Sequence, residues 1–370
     1  MPTREEYEAA GLLRDPLADE ADRLALLDWL AEQGYSIAEM VAFHAHDRLY
    51  AMASDATRII GKPAGLNELA TAAGVSVEDA TEAVRALGLP PEGRLLPSEA
   101  AALLHEFAVA RRVFSEEAVL HFARVIGSSL DRIAEAAGAL FRLNVEAPML
   151  SEQPSELALA RIGRASIASL DTVTESLGPV LRAHFLLAVE RTREADRMRD
   201  ADSDADEEPV AMAIGFVDLV GFTPVSSSAP ARELLDLLLA FERHAHELVQ
   251  AHGGRVVKLI GDEVMFAAVD PGDACRIADG LFREFAGRTD LTPRAGIAWG
   301  DVLAHGGDYF GGVVNIASRI ADIAVPWEIL LAPEVAVRVP AGYRAEPAGR
   351  RLLKGFADPV PLSSLVAPAF

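Results

Sequence analysis

Three short stretches in the second half of this chain put charge where apolar strands and turns would otherwise be expected. The first is Phe216-Val-Asp218-Leu-Val-Gly221-Phe222-Thr223. Asp218 closes an apolar run just before a glycine, and a carboxylate there is costly unless its charge is paired. The second is Lys258-Leu-Ile-Gly-Asp262-Glu263. If adjacent strands carry them, Asp218 and Asp262 meet, and two carboxylates sharing a site hold either a common proton or bound cations. The third is Asp308-Tyr-Phe-Gly-Gly-Val-Val-Asn315-Ile-Ala-Ser-Arg319. Asn315 and Arg319 are four apart, so on a helix they project from one face. Each stretch alone reads as an ordinary turn aspartate or a solvated helix residue. Their occurrence together, in order and in one domain, is what points to chemistry.

The elements that must position these residues follow from periodicity. Val210–Val217 is continuously apolar, like a buried strand. Ala231–His252 is an amphipathic helix closed by Gly253-Gly254. Arg255–Ile260 and Glu263–Val269 flank Gly261-Asp262 as a hairpin. Asp273–Phe285 reads as a helix, Pro293–Trp299 as a strand, and Val313–Ile323 as a helix. The order β-α-β-β-α-β-α predicts a ferredoxin-like α+β sheet with helices on one face.

These residues closely resemble the catalytic domain of the class III nucleotidyl cyclases, over about residues 210–366. The resemblance implies that Asp218 and Asp262 hold two divalent ions per site, Mg²⁺ or Mn²⁺. It implies that Lys258 and Asp308 select the purine, that Asn315 orients the ribose, and that Arg319 stabilises the transition state. Lys354, in Leu-Leu-Lys-Gly-Phe-Ala-Asp-Pro, resembles a late lysine that contacts the triphosphate, on a shorter motif. Ala298-Trp299-Gly300-Asp301 departs from the pattern, since many relatives carry His or a basic residue there. In the family the metal carboxylates and the Lys, Asp, Asn and Arg come from two catalytic domains. A chain with one domain holding both sets is therefore expected to work as a homodimer.

Hydrogen-bond polarity narrows the base. Adenine offers an acceptor at N1 and a donor at its 6-amino group; lysine only donates and an ionised aspartate only accepts, so Lys258 and Asp308 match adenine. ATP is the expected substrate and 3′,5′-cyclic AMP the expected product.

Composition sets the outer limits. The 370 residues carry 34 Lys and Arg against 56 Asp and Glu, a net charge of −22, so no nucleic-acid or anionic-membrane partner is expected for the chain as a whole. A single cysteine, Cys275, excludes an internal disulfide framework and a Cys-rich zinc site. No apolar run approaches the roughly 20 residues that span a bilayer, and the N-terminus lacks signal-peptide order, so a cytoplasmic protein is expected. Glu194–Pro209 is acidic and small, which reads as a linker between an all-α half, residues 1–193, and the catalytic half, residues 210–370.

The first half carries apolar residues at three- and four-residue spacing over Asp22–Gln33, Ile37–Met52, Leu66–Ala73 and Ser98–Arg112. Ser115-Glu-Glu-Ala opens a further helix; another runs over Ser155–Gly178, and Pro179–Arg193 leads into the linker. Together with the linker and catalytic half, this arrangement resembles actinobacterial two-domain cyclases with a pH-sensing, autoinhibitory N-terminus. His44, His46, His105, His121 and His184 precede the linker, and histidine titrates near neutrality, so a proton or an unidentified ligand is expected as the regulator. A second reading comes from Leu66–Leu87, which has helix-turn-helix character with Gly74 at the turn. That would make the chain an ATP-sensing transcriptional regulator, although Glu78, Asp79 and Glu82 against Arg85 suit a phosphate-lined groove poorly.

Overall fold

The computed structural model describes residues 1–13, 19–46, 48–54, 64–92, 100–148, 155–198, 210–222, 230–286 and 291–368. The chain forms two compact units, Met1–Arg182 and Ala183–Phe370.

The first unit is all-helical: α1 (Arg4–Ala9), α2 (Glu20–Glu32), α3 (Ile37–His44), α4 (Leu66–Ala73), α5 (Val77–Ala86), α6 (Ala101–Ala110), α7 (Glu116–Phe141) and the start of α8 (Glu156–Met198). Ser115 caps α7 as expected, its hydroxyl accepting from the Ala118 N–H at 3.2 Å. The expected helix over Ile37–Met52 is instead α3 followed by a 3₁₀ segment, Leu49–Ser54. Ser98, the expected start of α6, lies outside the described residues. Two apolar clusters fill the unit: Tyr7, Leu26, Leu30 and Met40 in one, Leu69, Val84, Leu104 and Phe107 in the other. The fully buried Arg23 is held by both carboxylate oxygens of Glu156, at 2.7 and 2.9 Å, and by the Leu12 carbonyl at 2.9 Å. Helices α4 and α5 do form a helix-turn-helix, with Gly74 left-handed at φ 68. The acidic side chains of α5 are put to structural use there, since Asp79 and Glu82 both accept from Arg111, at 2.8 and 2.9 Å.

α8 corrects two expectations. Pro179 lies inside it rather than at a break, so Ser155–Gly178 and Pro179–Arg193 are one helix. Glu194–Met198 is helical rather than linker, because Ala195 is fully buried in the same cluster as Met212 and Ile214. The rest of the acidic segment, residues 199–209, lies outside the described residues. The last turns of α8 thus belong to the second unit, which begins at Ala183.

The second unit is built on strands β1 (Val210–Val220), β2 (Arg255–Ile260), β3 (Glu263–Ala268), β4 (Thr292–His305), β5 (Asp308–Phe310), β6 (Ile329–Leu331), β7 (Arg344–Arg351) and β8 (Val360–Val366). Its helices are α9 (Ala231–Ala251), α10 (Pro271–Glu284), α11 (Gly312–Ile323) and α12 (Pro333–Ala336). The sheet order is β2-β3-β1-β4-β6-β8-β7, with β5 pairing β4. Its first four strands are mutually antiparallel in the order of a split βαβ sheet.

Helices cover both faces of this sheet, not one. Ala213, Val217 and Leu219 of β1 pack with Phe241 and Ala245 of α9 and Ile277 and Leu281 of α10. The alternate residues Met212, Ile214 and Phe216 pack with Ala317, Ile320 and Ala321 of α11. Burial on both sides is why β1 is apolar without alternation. The approach of α11 is set by Gly296 of β4, where a Cβ would lie 2.3 Å from the Ala321 nitrogen and 2.5 Å from the Ala317 oxygen. These are backbone atoms of α11 and cannot rotate away. Gly296→Ala is expected to destabilise the second unit by about 1–3 kcal/mol. Amide hydrogen exchange should then show protection falling first in β4 and α11.

Candidate active site

Asp218 sits near the end of β1, in register with Glu263 of β3 on one side and Arg294 of β4 on the other. Arg294 donates to Asp218 Oδ2 from Nε at 2.8 Å and from Nη2 at 2.6 Å, and from Nη1 to the Asp322 carbonyl of α11 at 2.7 Å. One guanidinium therefore ties a carboxylate at the sheet's end to the helix that carries Asn315 and Arg319. Sequence reasoning passed over Arg294, reading Pro293–Trp299 only as a strand. The signal was present: a lone cation inside Pro293-Arg-Ala-Gly-Ile-Ala-Trp.

Asp262 follows Gly261, which takes φ 65 in the tight turn between β2 and β3. Burial raises the Asp262 pKa, and the Asp218 charge raises it further, against the opposing effects of its own backbone N–H and of Arg294. The neighbouring Glu263 is pushed up to about 7, first by burial and then by Asp218 and Asp322. The structure thus brings the two predicted carboxylates into one electrostatic site, with more negative charge than Arg294 balances.

That surplus is the test of whether the residues fit a divalent cation. Added positive charge is favourable here, and two carboxylates suit a magnesium-class ion, which takes few protein ligands and fills its shell with phosphate oxygens and water. Among the described residues, no group of three or more His, Cys, Asp or Glu side chains is arranged to hold a metal. An open two-carboxylate site, rather than a closed cage, is what the chain offers.

Lys258 and Asp308 meet, with Lys258 Nζ donating to Asp308 Oδ2 at 2.6 Å. Two local irregularities aim them. The β2–β3 register slips between Val256 and Lys258, the mark of a bulge, which re-directs the side chains that follow. Asp308 begins β5 after the turn Gly306-Gly307, whose φ values of 60 and 80 both favour glycine and fit a two-residue hairpin. Asp308 Oδ1 accepts the Tyr309 N–H at 2.8 Å, so both carboxylate oxygens are fixed.

Asn315 and Arg319 lie on the side of α11 away from its buried face of Ala317, Ile320 and Ala321. Arg319 pairs with Asp322 at 3.0 Å. Neither makes a hydrogen bond or ion pair with Asp218, Asp262, Lys258 or Asp308. Lys354 is exposed in the β7–β8 connection, beside the buried Leu353, and makes no hydrogen bond or ion pair with the other six. Thr223, at the end of the first motif, lies outside the described residues. No described helix is long and apolar enough to cross a membrane.

Comparison with known proteins agrees with this geometry. Residues 6–193 match the adenylate cyclase regulatory domain family, and residues 205–361 match the adenylate and guanylate cyclase catalytic domain family. An uncharacterized protein of Mycobacterium tuberculosis is 34% identical over 95% of this chain and 91% of its own length. An adenylate cyclase of Streptomyces coelicolor is 34% identical over 75% of this chain and 70% of its own length. A pH-sensitive adenylate cyclase of M. tuberculosis is 27% identical over 92% of this chain and 87% of its own length. With a cyclase sheet ending in paired carboxylates and a helical half of the regulatory type, the chain belongs to the class III adenylate cyclases that carry an N-terminal regulatory domain.

Proposed function

We propose that this chain converts ATP to 3′,5′-cyclic AMP and pyrophosphate, at two equivalent sites in a homodimer, under control of its helical half. The observation that carries the substrate choice is the 2.6 Å contact between Lys258 and Asp308. A donor and an acceptor from separate strands, held side by side, present to a base the pattern that adenine complements.

In the reaction, the ribose 3′ oxygen forms a bond to the α-phosphorus as the bond to the bridging oxygen breaks, and pyrophosphate leaves; the 3′-hydroxyl proton is lost. Asp218 and Asp262 would hold Mg²⁺ or Mn²⁺, and such ions, when bound, make the hydroxyl more acidic and neutralise leaving charge. Lys258 and Asp308 hold the base, and Asn315 hydrogen-bonds the ribose to point its 3′ oxygen at phosphorus. Arg319 places fixed donors where negative charge gathers at phosphorus, and Lys354 draws the triphosphate tail. Holding attacking and leaving oxygens in line supplies much of the acceleration.

Full-length protein with Mg²⁺ or Mn²⁺ is expected to make cyclic AMP from ATP, with far less product from GTP. Reversing the pair, Lys258→Glu with Asp308→Lys, should shift the ATP:GTP ratio of kcat/KM toward GTP by at least about tenfold, or about 1.4 kcal/mol. An unaltered ratio would remove these residues from base selection.

The homodimer reading is supported by the exposed placement of Asn315 and Lys354, and by Arg319 pairing with Asp322 and not with Asp218 or Asp262. Asp218→Ala and Arg319→Ala should each lower kcat by about 10²-fold or more. Mixing the two inactive chains should restore activity, because a mixed dimer holds one intact site. If the mixture stays inactive while both variants dimerise, the shared site is wrong.

Regulation by protons is supported by the name of the pH-sensitive relative. It is also supported by His44, whose ring nitrogens lie 3.3 and 3.2 Å from Nη2 of the buried Arg23. A proton on His44 would set two cations together beside the Glu156 anchor of α8. The chain cut to Ala183–Phe370 keeps the buried Ala195 and is expected to lose the acid response of the full-length enzyme; identical cyclic-AMP-versus-pH profiles would exclude sensing by the helical half.

A further inference from the structure

A cavity of about 230 Å³ opens in the second unit between the last turns of α8 and the β4–β5 hairpin. Its walls include Arg191 and Thr192 of α8, Arg255 of β2, and His305, Gly307 and Asp308 of the hairpin. Of the seven residues assigned to catalysis and binding above, Asp308 alone lines it.

The charge inside is unusual for this chain. Against a net charge of −22, two guanidiniums face one cavity. Asp308, the sole acidic residue among the described walls, is already engaged by Lys258 and by the Tyr309 N–H. Arg255 is anchored, donating from Nη2 to the Gly307 carbonyl and lying over the Tyr309 ring at 5.5 Å. Arg191 is half-buried, and among the described residues it makes no hydrogen bond and no ion pair. Burial pushes its pKa down, and the Arg255 charge adds to that, while Tyr309 opposes it. A half-buried guanidinium with unused donors beside a second, fixed guanidinium is an arrangement that an oxyanion relieves. It takes charge-assisted bonds from both, and the planar forks match its oxygens.

We propose that this cavity binds a phosphate-class oxyanion, held between Arg191 and Arg255. Because Arg255 and Asp308 are joined through the Gly306-Gly307 turn, occupancy tightens the hairpin that presents Asp308 to Lys258. The ligand reaches the site as free phosphate or as released pyrophosphate, and its effect on nucleotide affinity rests on the base-reading role proposed above.

The test is titration calorimetry of the full chain with inorganic phosphate and, separately, with pyrophosphate, in EDTA and without nucleotide. Saturable binding is expected. It should survive Asp218→Ala, weaken at least tenfold in Arg191→Gln, and recover in part in Arg191→Lys, with far-ultraviolet circular dichroism and melting unchanged. Pyrophosphate binding tenfold or more above phosphate supports the product as the source; equal binding supports free phosphate. Absence of saturable binding overturns the proposal, as does binding that Arg191→Gln and Arg255→Gln leave intact. Neither turnover nor metal enters this measurement, so its outcome is separable from the cyclase reading. A change in the KM for ATP with added phosphate, present in the wild-type chain and lost in Arg191→Gln, is the matching kinetic readout.

Discussion

Arg294 and Asp218 face each other across β4 and β1, and every other residue of β1 is apolar or glycine. A strand covered by helices on both faces has little water to offer a carboxylate, and the cost is met by placing the cation on the neighbouring strand. The same guanidinium donates to the last turn of α11, so neutralising the charge and docking the helix are one event. Gly296, two residues along β4, leaves the room for that docking. Asp262 and Glu263, whose pKa values burial raises, sit beside that pair at the sheet's end. A carboxylate site built this way suits the cation-bound nucleotide proposed as its substrate.

The helical half solves a different problem with similar means. Its buried Arg23 has no neighbouring strand to pair with, and reaches Glu156 near the start of α8. Removing one partner of such a pair leaves a desolvated charge, so the contact favours Glu156 at the start of α8. Asp79 and Glu82 of the helix-turn-helix are likewise paired by Arg111, and α5 itself carries one cation, Arg85, against three carboxylates.

What the sequence made legible follows from which signals are local. The β2–β3 hairpin, with Gly261-Asp262 at its tip, and the helix over Leu66–Ala73 match because turn chemistry and short-range period decide them. The meeting of Lys258 with Asp308, fifty residues apart, was legible only through a family likeness; no spacing rule joins them. Strands β5 and β6 are three residues each, too short to carry a period. Pro179 misled because a proline ordinarily ends a helix, and here the chain accepts the lost bond. The acidic run misled in the other direction: one alanine, Ala195, finds a place in the core, and the charged Glu194, Asp196 and Arg197 are helical with it. Helices on both faces could have been read from β1, whose unbroken apolar run already excluded a wetted side.

The self-contained pairing of Lys258 with Asp308 bears on discrimination more than on tightness. In the structure each group already has its partner, so under the proposed role an incoming base exchanges one set of hydrogen bonds for another. The correct base gains little net free energy from that exchange, whereas a base of reversed polarity leaves a charged donor and a charged acceptor both unmatched. In that role the pair would act as a filter whose strength lies in the penalty for the wrong nucleotide, leaving the hold on the right one to the ribose and the phosphates.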